Sequence, residues 1–143
     1  MAKRGNAVDL FGFADGVFAH PVSRAASVLA EVERFTGRVG EVGHGTRMAE
    51  ALRATYRQHE RVVIVSDMQT FPDSRTPEWA SYSTVAVDAV PARVPVYGFN
   101  LAGYRTTVLD GGRGNRHVFG GMNDGTFTMR SLLESRTSAG WPF

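Results

Sequence analysis

The stretch that most constrains this chain is Arg61–Phe71, RVVIVSDMQTF. Val62, Val63, Ile64 and Val65 form an unbroken branched apolar run between a charged residue and a Ser-Asp pair. A short run of this kind, without alternation, predicts a strand covered on both faces, as in a parallel sheet under helices. Asp67 then falls at the carboxyl end of the strand, the edge where open α/β sheets bind ligands. Asp serves equally well at such a place as a turn or cap residue.

Around this strand the remaining segments alternate. Ala7–Phe13 reads as a strand, Asp15-Gly16 as a turn and Val17–His20 as a short returning strand. From Ser23 to Thr36 the apolar positions Val28, Leu29, Val32 and Phe35 fall at helical spacing, with Ser23 as N-cap and Gly37 as terminator. Arg38–Gly45 is a glycine-punctuated loop. Thr46 opens a second helix running to about His59, whose inward stripe is Met48, Leu52, Thr55 and Tyr56. Residues 72–93 are proline-rich: Glu78–Val90 suits a helix, or a short strand at Thr84–Asp88. Val94–Phe99 is a strand, and Asn100–Arg116 is a long polar loop of the kind that often carries function. His117–Phe119 is a last short strand, and Asp124 caps a final helix bearing Phe127, Leu132 and Leu133. Strands alternating with helices predict an α/β layered domain with a mostly parallel sheet.

Composition removes several function classes. A chain of 143 residues predicts one domain, and 43% apolar residues suffice for a core. No apolar run approaches the length of a membrane span, and no apolar segment follows MAKRGN as in a secretory signal. Cysteine is absent, which removes disulfides, thiol nucleophiles and thiolate zinc sites and fits a reducing, cytoplasmic setting. The net charge of +2 comes from dispersed arginines, too weak a balance to argue nucleic-acid binding.

Two loops carry the candidate chemistry. Gly43-His44-Gly45-Thr46 opens a helix, and Ser66-Asp67 closes the apolar strand. Brought to one sheet edge, a hydroxyl and a carboxylate would suit a hard cation such as Mg²⁺, which takes oxygen ligands and keeps several waters. The segment VGHGTRMAEALRATYRQHERVVIVSDMQTF resembles the second and third metal loops of a von Willebrand factor A domain. More narrowly, it is similar to the carboxyl-terminal A domain of bacterial TROVE/Ro ribonucleoproteins. AVDLFGFAD and VPVYGFNLAGYRTTVLDGGRGNRHVFGGMNDGTFTMRSLLE share that likeness, which spans nearly the whole chain. The resemblance implies a Rossmann-like sheet flanked by helices and a metal-ion-dependent adhesion site in which Thr46 and Asp67 are ligands. The family's first loop, Asp-x-Ser-x-Ser, has no counterpart here. The chain is therefore expected to lack the family's first strand, which lies at the middle of the sheet, and to hold a divalent cation weakly. The sheet would then close up, or its exposed inner strand edges would pair with another chain or with a second copy.

The expected function is that of a non-catalytic docking domain of a TROVE/Ro-like RNA-binding protein. Its partner would present a carboxylate or phosphate to Thr46, Asp67 and the adjoining Gly43, His44, Gly45 and Ser66. RNA binding follows from kinship, through a domain not in this sequence; Tyr104, Arg105, Arg113 and Arg116 in the long loop are candidate RNA or partner contacts. Two other readings stand beside it. One is a metal-assisted phosphoesterase using Asp67 and His44. The other is a structural half-domain completed by another chain. The glycines at 40, 43 and 45 match neither a P-loop nor a dinucleotide fingerprint.

Overall fold

A computed structural model describes residues 7–70, 89–104, 109 and 114–138. Its elements in chain order are β1 (Phe11–Phe13), β2 (Val17–Ala19), α1 (Val28–Thr36), α2 (Met48–Thr55), β3 (Val62–Ser66), β4 (Val96–Asn100), β5 (Arg116–Gly120) and α3 (Asp124–Ser138). The expected segments Glu78–Val90 and Thr84–Asp88 lie largely outside the described residues. The strands fall into two sheets: β3, β4 and β5 form a parallel sheet in that order, and β1 and β2 form a separate antiparallel hairpin. An α/β fold is thus present, with a three-stranded parallel sheet and three helices among the described residues.

All five residues of β4 are buried, and the two faces of the parallel sheet differ. One face carries Ile64 and Val96 with Val90, Val94, Leu109 and Met68, and the α2 residues Met48, Ala49 and Leu52 pack on it. Gly98 sits beneath this layer: any Cβ there would lie 2.6 Å from the Leu109 Cδ1 and Met68 Cε atoms. The opposite face is an aromatic ladder. Tyr97 stacks on His117 at 5.3 Å between ring centres, and Phe99 meets Phe119 and, from α3, Phe127. These rings match because β4 and β5 pair Tyr97 with His117 and Phe99 with Phe119.

The branched run is not covered on both faces. In β3, Ile64 is buried, but Val63 and Val65 are 41% and 43% exposed. The doubly buried strand is β4, because β3 lies at the border of its sheet and pairs on one side only.

The first helix also departs from expectation. Its N-cap is Ser27, whose Oγ accepts the Ala30 N–H at 3.1 Å, and Ser23 instead caps a turn at Ala26. Val28, Leu29 and Val32 face outward, while Glu31 turns in. Glu31 Oε2 meets the buried His20 Nε2 at 3.1 Å, and its Oε1 accepts from the Ser23 N–H and Arg34. Burial pushes the Glu31 carboxyl up, but the hydrogen bonds from His20 and Ser23 and the Arg34 charge outweigh it and hold it below the usual range. Phe35 packs on Phe18 and His20, so α1 is fastened to the hairpin by polar contacts and one ring.

In α3 the cap is Asn123 rather than Asp124. Asn123 Oδ1 accepts the Thr126 N–H and Thr126 Oγ1 accepts the Asn123 N–H, a reciprocal box that satisfies two otherwise orphaned donors. No helix among the described residues is long and apolar enough to cross a membrane.

Candidate functional site

The loops before α2 and after β3 converge through one hydroxyl. Thr70 Oγ1 donates to the Thr46 carbonyl at 3.1 Å and accepts the Met48 N–H at 3.2 Å. Thr46 therefore does not cap α2. The N-cap position is Arg47, without a side-chain bond, and Thr70 supplies the missing acceptor from a different loop. Thr46, Ser66 and Asp67 all line one cavity of about 700 Å³ between the hairpin and β3. Gly43, His44 and Gly45 line it as well.

Ser66 and Asp67 build the turn that leaves β3. Ser66 Oγ accepts the Met68 N–H at 2.8 Å, and Asp67 Oδ1 accepts the Gln69 N–H at 3.1 Å. Directly after them Met68 adopts φ 59°, a left-handed conformation that a long side chain rarely takes. Its side chain is fully buried over Gly98, and that burial holds the turn. One carboxylate oxygen of Asp67 thus has a structural duty.

Asp15, which reads in the sequence only as a turn residue, organises the other loop. Its Oδ2 accepts the His44 N–H at 3.3 Å and the Gly45 N–H at 3.1 Å, and its Oδ1 lies 3.6 Å from Arg47 Nε. The Gly45 N–H bond is the largest of the effects that hold the Asp15 carboxyl below its ordinary range. Desolvation opposes it, and the His44 N–H and Arg47 add to it. Gly16 N–H to Val42 and Arg47 N–H to Ala14 complete the seam between hairpin and loop. The glycines follow from this seam. A Cβ at Gly43 or Gly45 would run into the Asp15 carboxylate, and Gly43 also has φ 88°. An Asp-Gly dipeptide gave no signal of this contact, because its partner lies about thirty residues away.

The donor set does not fit a resident Mg²⁺. Such an ion needs near-octahedral oxygen ligands that usually include one or two free carboxylates. Asp67 Oδ1 is committed to Gln69, and Asp15 is committed to two amides and Arg47. Among the described residues no three His, Asp or Glu side chains gather as a cage. His44 is exposed on its loop.

The long-loop residues separate. Tyr104 is exposed, with its carbonyl accepting from Asn100 Nδ2 at 2.6 Å. Arg105 and Arg113 lie outside the described residues. Arg116, expected in a loop facing RNA or a partner, is instead the first residue of β5 and only 8% exposed. Its guanidinium donates to the Val94 and Val90 carbonyls, each at 2.7 Å, which takes it out of the contact set. The chain matches no protein-family profile, no curated protein and no solved structure.

Proposed function

We propose that this chain is a non-catalytic docking domain of the von Willebrand A type, kin to TROVE/Ro-like RNA-binding proteins, that receives a partner at the loop end of its cavity. One observation carries the reading. The Gly43–Thr46 loop and the Ser66–Asp67 turn, far apart in sequence, line the same cavity and are joined by the Thr70 hydroxyl. The likeness of these two loops to a degenerate adhesion site supports the same place. Docking is routed through no cation, since among the described residues no three His, Asp or Glu side chains gather there. No observation favours the phosphoesterase reading: the described carboxylate at His44, that of Asp15, is bonded to its backbone N–H, and among the described residues no three metal-ligating side chains gather.

The partner group expected at this end is a carboxylate or phosphate, met by loop N–H groups and the Thr46 hydroxyl. Titration of the labelled chain with a glutamate-rich peptide and with a phosphoserine peptide, followed by amide NMR, tests it. Shifts are expected at Gly43–Thr46 and Ser66–Asp67, and are expected to weaken in Thr46→Ala. Shifts confined to other surfaces, or none at millimolar peptide, would refute the reading.

A further inference from the structure

Each sheet turns one of its outer edges to the cavity: β1 of the hairpin and β3 of the parallel sheet. In β3, the Val62 N–H donates to the Pro95 carbonyl and the Ser66 carbonyl accepts the Leu101 N–H. Backbone groups alternate in direction along a strand, so Val62, Ile64 and Ser66 serve β4 while Val63 and Val65 turn the other way. In β1, the His20 N–H donates to the Leu10 carbonyl and the Ala14 N–H to the Gly16 carbonyl. Leu10, Gly12 and Ala14 therefore serve the hairpin, while Phe11 and Phe13 turn the other way. Phe11, Phe13, Val63 and Val65 all line the cavity, and among the described residues their outward backbone groups have no partner.

We infer that this cavity is a slot for one extended strand contributed by another polypeptide, which pairs with β1 on one side and β3 on the other. The inference rests on the docking reading above for the chain's role, though not on Thr46 or Asp67. A cavity of about 700 Å³ would also suit a small molecule. A small molecule, however, would leave the amides and carbonyls along two strand edges unmatched, whereas an extended backbone satisfies both. With the slot filled, β1 and β3 stand two ladder spacings apart, roughly 10 Å.

The occupant's chemistry follows from the walls. Phe11, Phe13, Val63 and Val65 run along them, with Met48 and Leu52 of α2 across one side. Of the charged lining residues, Arg61 and Asp67 sit at opposite ends of β3, while Asp9 is paired with His59 and Arg38 with Glu41. The occupant is therefore neutral and branched apolar across about five residues, with polar groups only at its ends. A second copy is a poor source. Each described strand is already paired on at least one edge, and the slot needs a strand free on both.

The test uses the full chain and a fluorescein-labelled peptide of the sequence Arg-Val-Val-Ile-Val-Ser-Asp, a strand already suited to a parallel sheet. The expected result is saturable binding by anisotropy, weakened at least about tenfold when proline replaces the peptide's isoleucine. Amide exchange at Phe11, Phe13, Val63 and Val65 should slow by about tenfold or more on binding, and that at Ile64 should not change. Val63→Pro in the chain removes a donor that β4 does not use, so it should fold and lose the peptide. If it does not fold, the proline peptide on the unaltered chain carries the test alone. The glutamate-rich and phosphoserine peptides should not compete with the strand peptide, so failure at the loop end and failure of the slot are separate results. The inference is overturned by no saturable binding, by binding that leaves those four amides unchanged, or by a dimer in light scattering whose assembly alone protects them.

Discussion

Replacing Arg116 should destabilise the whole fold rather than loosen a contact with a partner. Its two guanidinium nitrogens donate to the Val94 and Val90 carbonyls at 2.7 Å, and both valines are buried. These bonds tie the segment entering β4 to the start of β5, beside the bond from the Val96 N–H to the Asn115 carbonyl. In Arg116→Ala each carbonyl loses a charged donor, and a buried polar group left unpaired costs about 1–3 kcal/mol. Two such losses, partly relieved by entering water, amount to about 3–4 kcal/mol, a large share of the roughly 5–15 kcal/mol that holds a domain of this size. Arg116→Lys keeps the charge, but a single ammonium cannot span both carbonyls in the fixed fork geometry, and it should cost about 1–2 kcal/mol. Urea unfolding followed by circular dichroism reads these numbers directly. A loss of 3 kcal/mol lowers the midpoint by about 1.5–2 M at a typical slope. If Arg116→Ala unfolds within about 0.5 kcal/mol of the parent, or if the Lys and Ala variants are equally unstable, the two-carbonyl account is wrong.

Two further outcomes are expected. Burial, and then the neighbouring Arg116 charge, hold the His117 imidazole below its ordinary value of 6.5. A lowered histidine pKa means the unfolded chain takes the proton first. The stability this contributes is complete above pH 6.5 and is lost as pH falls below it toward the folded value. The urea midpoint should therefore decline as pH falls below 6.5, and His117→Phe, which keeps a ring stacked on Tyr97, should remove that decline. Thr70→Val should cost about 1 kcal/mol, because α2 then loses its only described N-terminal acceptor; faster exchange of the Met48 amide with that at Leu52 unaffected would locate the effect, and unchanged exchange at Met48 would contradict it.

The elements were legible where the signal is local. Val62–Val65 announced a strand, and Met48 and Leu52 announced the buried face of α2, because each signal is carried by a few neighbouring residues; the helix expected to reach His59 ends at Thr55, with Tyr56 as its C-cap. What sequence could not supply was the neighbour. The branched run of β3 reads as a sheet centre, yet its position depends on which edges find partners, and β4 took the centre. Val28, Leu29 and Val32 have the spacing of an inward face, but α1 is oriented by a buried carboxylate and imidazole that no periodicity reports. Arg116 looked like a loop cation because residue type and a glycine-rich setting say nothing of the two carbonyls that bury it. Of the candidate site, Thr46 and Asp67 stand next to the ends of α2 and β3, where their positions in the sequence put them. Asp15 and Thr70, which lock the two loops, were hidden by sequence separations of 30 and 24 residues.

The position of α2 has a mechanical consequence. Met48 and Leu52 belong to the same core cluster as Ile64, Phe13 of the hairpin packs against that cluster, and the helix's first turn is gripped by Thr70 from the loop after β3 and joined to Ala14 through Arg47. A helix held in this way works as a lever between two plates. Spreading the hairpin from the sheet would break contacts at the helix's amino end, where the two loops meet, so the length of the cavity and its mouth share one element.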